Sequence, residues 1–333
     1  MAVTIGDVAK HAHVSVGTVS RYLNGYRLRT ENSQRIARAI EELDYRGNHA
    51  ARSLRRRKTQ TIGVVTPTLQ NVFFNAIVTA FERRMSDHDY SLLVADYSND
   101  PALMIRKIRE LSQKMVDGIV LFPHETSIDV RVALGGVSVP IVVVDEDLPD
   151  LSCDKVLLDN VHGSYEATTH LVRHGHRRIA IINGRRDSTV GTERFEGFKT
   201  AMRDWDIPVE PGLVDFGSFT TQGGYEAATR LMTLEAPPSA IVVTNYYMTL
   251  GTVMAAYELN IRIPAFLSLI GFGNFELSDV ARPPLTVIDQ PIEQMGEAMS
   301  RILIRRIVEA EEGPPIIVKL RPCLLEREST REL

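Results

Sequence analysis

Gly17, Ser20, Arg21 and Asn24 stand at i, i+3, i+4 and i+7, a spacing that gathers them on one face of a helix. A hydroxyl, a guanidinium and a carboxamide presented together can hydrogen-bond the edges of stacked bases. Arginine is the natural bidentate partner of guanine O6 and N7. Ser15, Val16 and Thr18 open the same helix and Thr4 precedes an earlier one, which makes them candidates for the same contact. Some thirty residues later Arg52, Arg55, Arg56, Arg57 and Lys58 crowd around Leu54. Such a run suits phosphate contacts and counterion release.

Three short helices must position this face. Thr4 with Asp7 three residues on forms a capping box that starts a helix running to about Ala12. A break at His13-Val14 follows, and the Ser15 hydroxyl can cap a second helix by accepting from a free backbone N–H. A third helix spans about Thr30 to Asp44. Ile5, Val8, Ala9 and Ala12, then Val19 and Leu23, then Ile36, Ile40 and Leu43 supply one small shared core. Two helices joined by a tight turn, with a third beside them, make a helix-turn-helix, whose second helix can enter the major groove.

Charge agrees. The 333-residue chain has net charge −4, yet residues 1–60 carry twelve Lys/Arg against five Asp/Glu, a balance of +7 that leaves −11 elsewhere. A basic head on an acidic body points to a polyanion partner for the head alone.

The stretch TIGDVAKHAHVSVGTVSRYLNG resembles the recognition module of the lactose-repressor (LacI/GalR) family, and the similarity continues through EELDYRGNHAARSLRRRKTQTIGVV. It extends more loosely to the C-terminus. The resemblance implies a homodimeric transcription regulator, mostly a repressor, on a pseudo-palindromic double-stranded operator. It further implies that Asn48, Ala51, Leu54 and Arg55 belong to a hinge helix that folds on DNA, with Leu54 wedged between base pairs in the minor groove. By chemistry alone, Leu54 serves equally as a linker leucine packed on the head. Two departures matter. Gly47 replaces the family's usual proline before the hinge asparagine, and Gly17 replaces a base-reading side chain, beside Val16 with only apolar contact to offer.

From residue 60 onward, short apolar runs alternate with helical stretches. The first series is TIGVV (61–65), LLVA (92–95), GIVLF (118–122) and IVVVD (141–145). The second is VLLD (156–159), RIAII (178–182), VDF (214–216), AIVV (240–243) and SLIG (268–271). TVIDQ (286–290), a helix over 292–311 and IIVKL (316–320) resemble return crossings between lobes. The pattern is that of parallel sheets covered on both faces, too long for one core, hence two Rossmann-like lobes. The expected fold class is α/β: an all-α helix-turn-helix head (1–46), a hinge and linker (47–60) and a two-lobed periplasmic-binding-protein-like sensor and dimerisation domain (61–333). Helices 72–88 and 101–115 resemble the family's dimer interface.

Ligands of such sheets sit at strand ends. Candidate effector contacts are therefore Phe73 and Phe74 after the first strand, Asp145 ending the fourth, Phe219, Asn245 with Tyr246, and Gly273 with Asn274. Arg194 in TERFEGF matches a family arginine that holds ligand hydroxyls or a carboxylate. Phe73 and Phe219 suit either a sugar-ring face or the core. The family's sugar binders commonly carry aspartate where Gly273 stands, and an Asn-Asp pair where this chain has Asn245-Tyr246. Two acids fewer beside Arg194 imply an effector more anionic than a neutral sugar, a sugar acid or sugar phosphate.

Other signals are weaker. His170 and His174 have a metal-compatible i, i+4 spacing, but nothing adjacent completes a site, and a solvated helix end is the plainer expectation. Cys153 and Cys323 suggest neither disulfide nor zinc site, and no catalytic or nucleotide-loop motif occurs, so neither an enzyme nor a bound cofactor is expected. No signal peptide or 18-residue apolar run is visible, which points to the cytoplasm rather than a membrane.

Overall fold

A computed structural model describes residues 3–23, 26–45, 58–123, 128–149 and 151–333. The chain divides into two compact units, Met1–Thr59 and Gln60–Leu333.

The first unit holds α1 (Ile5–His11), α2 (Val16–Leu23) and α3 (Thr30–Glu42). The Thr4–Asp7 capping box forms in both directions: the Thr4 N–H donates to the Asp7 carboxylate at 2.9 Å, and the Asp7 N–H donates to Thr4 Oγ1 at 3.3 Å. His13 takes a left-handed φ of 53° in the turn, and the Thr18 N–H donates to Ser15 Oγ at 3.2 Å as α2 begins. Val8, Ala9, Ala12, Val19, Ile36 and Ala39 are buried together, with Ile5, Leu23, Ile40 and Leu43 packed around them. A core this small explains why caps and turn must agree so closely with the apolar pattern.

The second unit has two six-stranded sheets. The first contains β1 (Thr61–Thr66), β2 (Ser91–Asp96), β3 (Gly118–Leu121), β4 (Ile141–Val144), β5 (Asp154–Leu158) and β11 (Ile317–Leu320), in the order β11-β5-β4-β3-β1-β2. The second contains β6 (Ile179–Asn183), β7 (Val214–Phe216), β8 (Ala240–Val243), β9 (Ser268–Phe272), β10 (Thr286–Asp289) and β12 (Cys323–Leu325), in the order β12-β10-β9-β8-β6-β7. Every pairing is parallel except β10 with β12. Helices α4 (Val72–Ser86), α5 (Pro101–Gln113), α6 (Ile128–Gly135) and α12 (Ile292–Ile307) go with the first sheet. Those that go with the second are α7 (Asn160–Arg173), α8 (Thr189–Asp204), α9 (Thr221–Met232), α10 (Tyr246–Glu258) and the short α11 (Glu276–Val280). Separate apolar cores line both faces of each sheet, as parallel strands require.

Three details depart from the sequence pattern. VLLD does not begin the second lobe: β5 pairs with β4, so the first crossover follows at Asp159. A strand buried on both faces reads alike in either sheet, so sequence order alone misassigned it. TVIDQ remains in the second lobe beside β9, while α12 returns to the first and stops at Ile307 instead of residue 311. The third crossover leads to β12, a strand too short to register as a period. Among the described residues, no helix is long and apolar enough to cross a membrane.

Candidate functional site

Four helices of the sensor unit begin at one cleft. Asn71 caps α4, accepting from the Phe73 N–H at 2.9 Å. Ser188 caps α8 through the Gly191 N–H at 3.1 Å, Thr220 caps α9 through Gly223 at 3.0 Å, and Asn245 caps α10 through Met248 at 3.1 Å. α4 comes from one lobe and the other three from its neighbour, because parallel β/α units all present strand C-termini and helix N-termini at the same edge. Between them lies a cavity of about 610 Å³, within the range of small-ligand pockets.

Phe73, Phe74, Asp145, Arg194, Phe219, Asn245 and Tyr246 all line it. Phe73 and Phe74 are partly buried and also pack on the first lobe's core, so core and cavity roles coexist. Arg194 is buried; its Nε donates to Asn160 Oδ1 at 2.9 Å, its Nη1 to the Thr244 carbonyl, and its plane lies 4.6 Å from the Phe272 ring centroid. These bonds leave the Nη2 donors for the cavity. Loss of water lowers its pKa to about 10, against the pull of Asp145, Glu146 and Glu193, so it remains a cation at neutral pH. Asp145 is partly buried in a left-handed backbone conformation (φ 71°), and its enclosed Oδ1 has no hydrogen-bond partner. Burial pushes its pKa up to about 7, although Arg194 pulls the other way.

Gly273 and Asn274 are not among the lining residues. Gly273 has φ 89°, and the Phe275 ring lies 3.0 Å from where its Cβ would be. That ring packs edge-on against Tyr246 at 5.2 Å between centroids. Asn274 instead accepts from Arg327 Nη2 at 2.8 Å. The backbone turn after β9 therefore withdraws both positions.

The sequence reading missed Thr68, Gln70, Glu146, Arg185 and Tyr247, all on the lining. Three of them join the lobes. The Tyr247 hydroxyl, from α10, donates to the Gln70 carbonyl at 2.7 Å and accepts from the Val72 N–H at 3.2 Å. On another side, Glu146 after β4 accepts from Ser188 Oγ at 2.8 Å and from the Thr189 N–H. Gly184 was missed too: a Cβ there would lie 1.9 Å from the Phe219 ring, so only glycine lets that ring sit beside the cavity. A net hydrogen bond contributes about 0.5–1.5 kcal/mol. Tyr247→Phe should therefore weaken effector binding about 3- to 10-fold, chiefly through faster dissociation. Stopped-flow dissociation rates check this, and an unchanged rate would remove the latch from the account.

In the head, Thr4, Ser15, Val16, Gly17 and Arg21 are exposed, while Thr18 and Ser20 are partly covered. Asn24, and Asn48, Ala51, Leu54 and Arg55 of the expected hinge, lie outside the described residues.

The histidine expectation needs correction. His170 and His176 are buried, and His174 is 21% exposed. Burial holds the His170 pKa below its ordinary value, and lowers that of His176 to about 4. Glu326, remote in sequence, lies beside His170 and His174.

A helix-turn-helix unit followed by a two-lobed clamp around a cavity defines a ligand-responsive DNA-binding protein, and comparison with known proteins makes this specific. The family model for bacterial regulatory proteins of the lacI family matches residues 4–48, and that for a periplasmic binding protein-like domain matches residues 168–330. The HTH-type transcriptional repressor PurR of Actinobacillus pleuropneumoniae is 34% identical over 332 residues, covering 99% of both chains. The solved complex of the transcriptional regulator CelR with cellobiose matches at 28% identity and TM-score 0.76, over 98% of this chain and 99% of that one. The Lac repressor dimer bound to operator and the anti-inducer ONPF is alike in fold, with TM-score 0.90 at 24% identity over 99% of this chain and all of that one. The chain belongs to the lacI family: it is a DNA-binding transcription regulator, not an enzyme, and repressors of that family bind operator DNA and small-molecule effectors as dimers.

Proposed function

We propose that the effector is a small hydroxylated anion of the sugar-acid or sugar-phosphate class, held in the interlobe cavity by Arg194. The observation that carries this is the convergence of four helix N-termini with Arg185 and Arg194 on one cavity whose central acid, Asp145, has its pKa pushed up to about 7 and so carries only about half its charge at neutrality. Helix N-termini and guanidinium groups both favour negative charge. Glu146 adds the opposing charge, but its carboxylate is engaged in capping α8. Phe73, Phe74, Phe219 and Tyr246 offer apolar faces to a ring. Calorimetry of the full chain against sugar acids, sugar phosphates, neutral sugars and nucleobases tests the class. Micromolar binding restricted to the acids and phosphates supports it; tight binding of a neutral sugar or a nucleobase alone overturns it.

On DNA, α2 occupies the major groove of each half of a pseudo-palindromic operator, with Arg21, Ser20 and Asn24 as readers and Ser15, Val16, Gly17 and Thr18 at the leading end. Thr4 supports this contact, and Asn48, Ala51, Leu54 and Arg55 engage the minor groove. The first lobe supplies the dimer contact through α4 and α5. A bidentate base contact is worth about 1–3 kcal/mol in each half-site, so Arg21→Ala, which removes both, should lower operator affinity by at least about 5- to 150-fold at fixed salt. Fluorescence anisotropy measures it, and a change below twofold would take Arg21 off the interface.

A further inference from the structure

Helix α7 and its C-cap residue carry His162, Glu166, His170 and, at the cap, His174, at four-residue intervals. The first two pair with each other, His162 Nε2 lying 3.3 Å from Glu166 Oε1. The other two histidines have rings 4.1 Å apart between centroids and share a third neighbour, Glu326. That residue arrives from the far end of the chain, where the last crossover brings β12 antiparallel to β10 beside α7.

The orientation of each imidazole is set from behind. His174 Nδ1 lies 2.8 Å from the His170 carbonyl. A carbonyl only accepts, so Nδ1 carries the proton and the Nε2 lone pair is free; Nε2 lies 3.9 Å from Glu326 Oε1. His170 Nε2 lies 3.0 Å from Thr330 Oγ1, a hydroxyl able to accept its proton, while Nδ1 lies 4.0 Å from Glu326 Oε2. Both imidazoles thus offer a nitrogen to the same carboxylate, each held by a partner on its other nitrogen. Metal-binding histidines are typically fixed in this way. One ligand atom from each of the three residues lies within 4.8 Å of the other two. Bonds of about 2.0–2.2 Å to a common centre require the donors to close slightly. Glu326, 61% exposed, can swing inward at little cost, whereas His170 is already buried in place.

We propose that His170, His174 and Glu326 form a binding site for a divalent first-row transition-metal ion of the zinc class, with water completing the coordination. Two imidazoles and a carboxylate suit zinc, nickel, cobalt or copper; magnesium and calcium prefer oxygen donors alone. The site is separate from the effector cavity, none of its three residues being on that lining. Its consequence is mechanical: the ion ties the C-terminal segment, whose Leu333 N–H already donates to the His174 carbonyl at 2.9 Å, to the end of α7.

The test uses the full chain, free of any polyhistidine tag and stripped of metal, titrated with zinc chloride against a chromophoric chelator. One high-affinity equivalent per chain is expected. His174→Gln and His170→Gln should each weaken binding at least tenfold, and Thr330→Val, which removes only the orienting hydroxyl, should weaken it less. Cobalt should give visible d–d absorption that both histidine variants lose. Operator affinity and circular dichroism of the variants confirm that they remain folded. Zinc saturation only at millimolar concentration, or one tight equivalent surviving in the double histidine variant, overturns the site and leaves the cluster a histidine–carboxylate ion pair.

Discussion

Arg194→Lys should weaken effector binding about 10- to 150-fold while leaving operator affinity of the effector-free protein unchanged. The arginine fork makes three contacts at once: with Asn160 at the start of α7, with the carbonyl at the end of β8, and with the face of Phe272. Nη2 remains for the ligand. A lysine ammonium is a point donor on a flexible stem and cannot span those partners while also reaching the cavity. A hydrogen bond to a charged group contributes about 1.5–3 kcal/mol, which is the source of the expected range. Calorimetry measures effector affinity, anisotropy measures operator affinity, and circular dichroism verifies folding. Equal effector affinity in the variant would reduce Arg194 to a structural tie within the second lobe.

The second large effect is on stability against pH. An ordinary aspartate has pKa 3.8, whereas folded Asp145 stays protonated up to about 7. Below about pH 4 both folded and unfolded states hold the proton, and Asp145 introduces no pH dependence. Between about 4 and 7 only the unfolded state loses it, so stability falls as pH rises through that window. Above about 7 both states are ionised and the loss is complete. Three units at about 1.4 kcal/mol each bound the loss at about 4 kcal/mol. Asp145→Asn cannot ionise, so its stability should exceed the parent's by a growing margin between pH 4 and 7. Denaturant unfolding of both proteins at pH 5 and pH 8 checks this; a constant difference would mean that Asp145 is ionised in the folded state. An anionic effector should also bind the parent more weakly above pH 7, and the variant with little change.

Much of this was legible because local signals and fold agree. The Thr4–Asp7 box, the His13 turn and the Ser15 cap are decided within a few residues, and all appear as expected. The inner strands of both sheets stood out as apolar runs, because burial on both faces excludes polar residues, whereas the edge strand β12 gave no such signal. Sheet membership was harder, since nothing in VLLD says which neighbour it will pair with. Asp145, Arg194 and Asn245 were found because strand ends and helix starts converge by topology. Tyr247 was not, because its partners Gln70 and Val72 are some 175 residues away and in the other lobe. Gly184 was missed because its role depends on a ring it does not adjoin in sequence. Gly273 and Asn274 were placed at the site by strand-end logic, but a single turn with positive φ redirects them. Glu326 shows the same limit, its link to His170 and His174 existing only through the last crossover.

Linkage offers the most direct measurement of the central claim, that one effector between the lobes and one operator on the heads are energetically coupled. Operator affinity should be measured with and without saturating effector, and effector affinity with and without saturating operator, in one buffer at one salt concentration. With two cavities per dimer and one operator, operator affinity is expected to shift by the product of the two per-site shifts in effector affinity, each about 5- to 150-fold, because coupling free energy is reciprocal. Effector binding that is indifferent to operator DNA would contradict it.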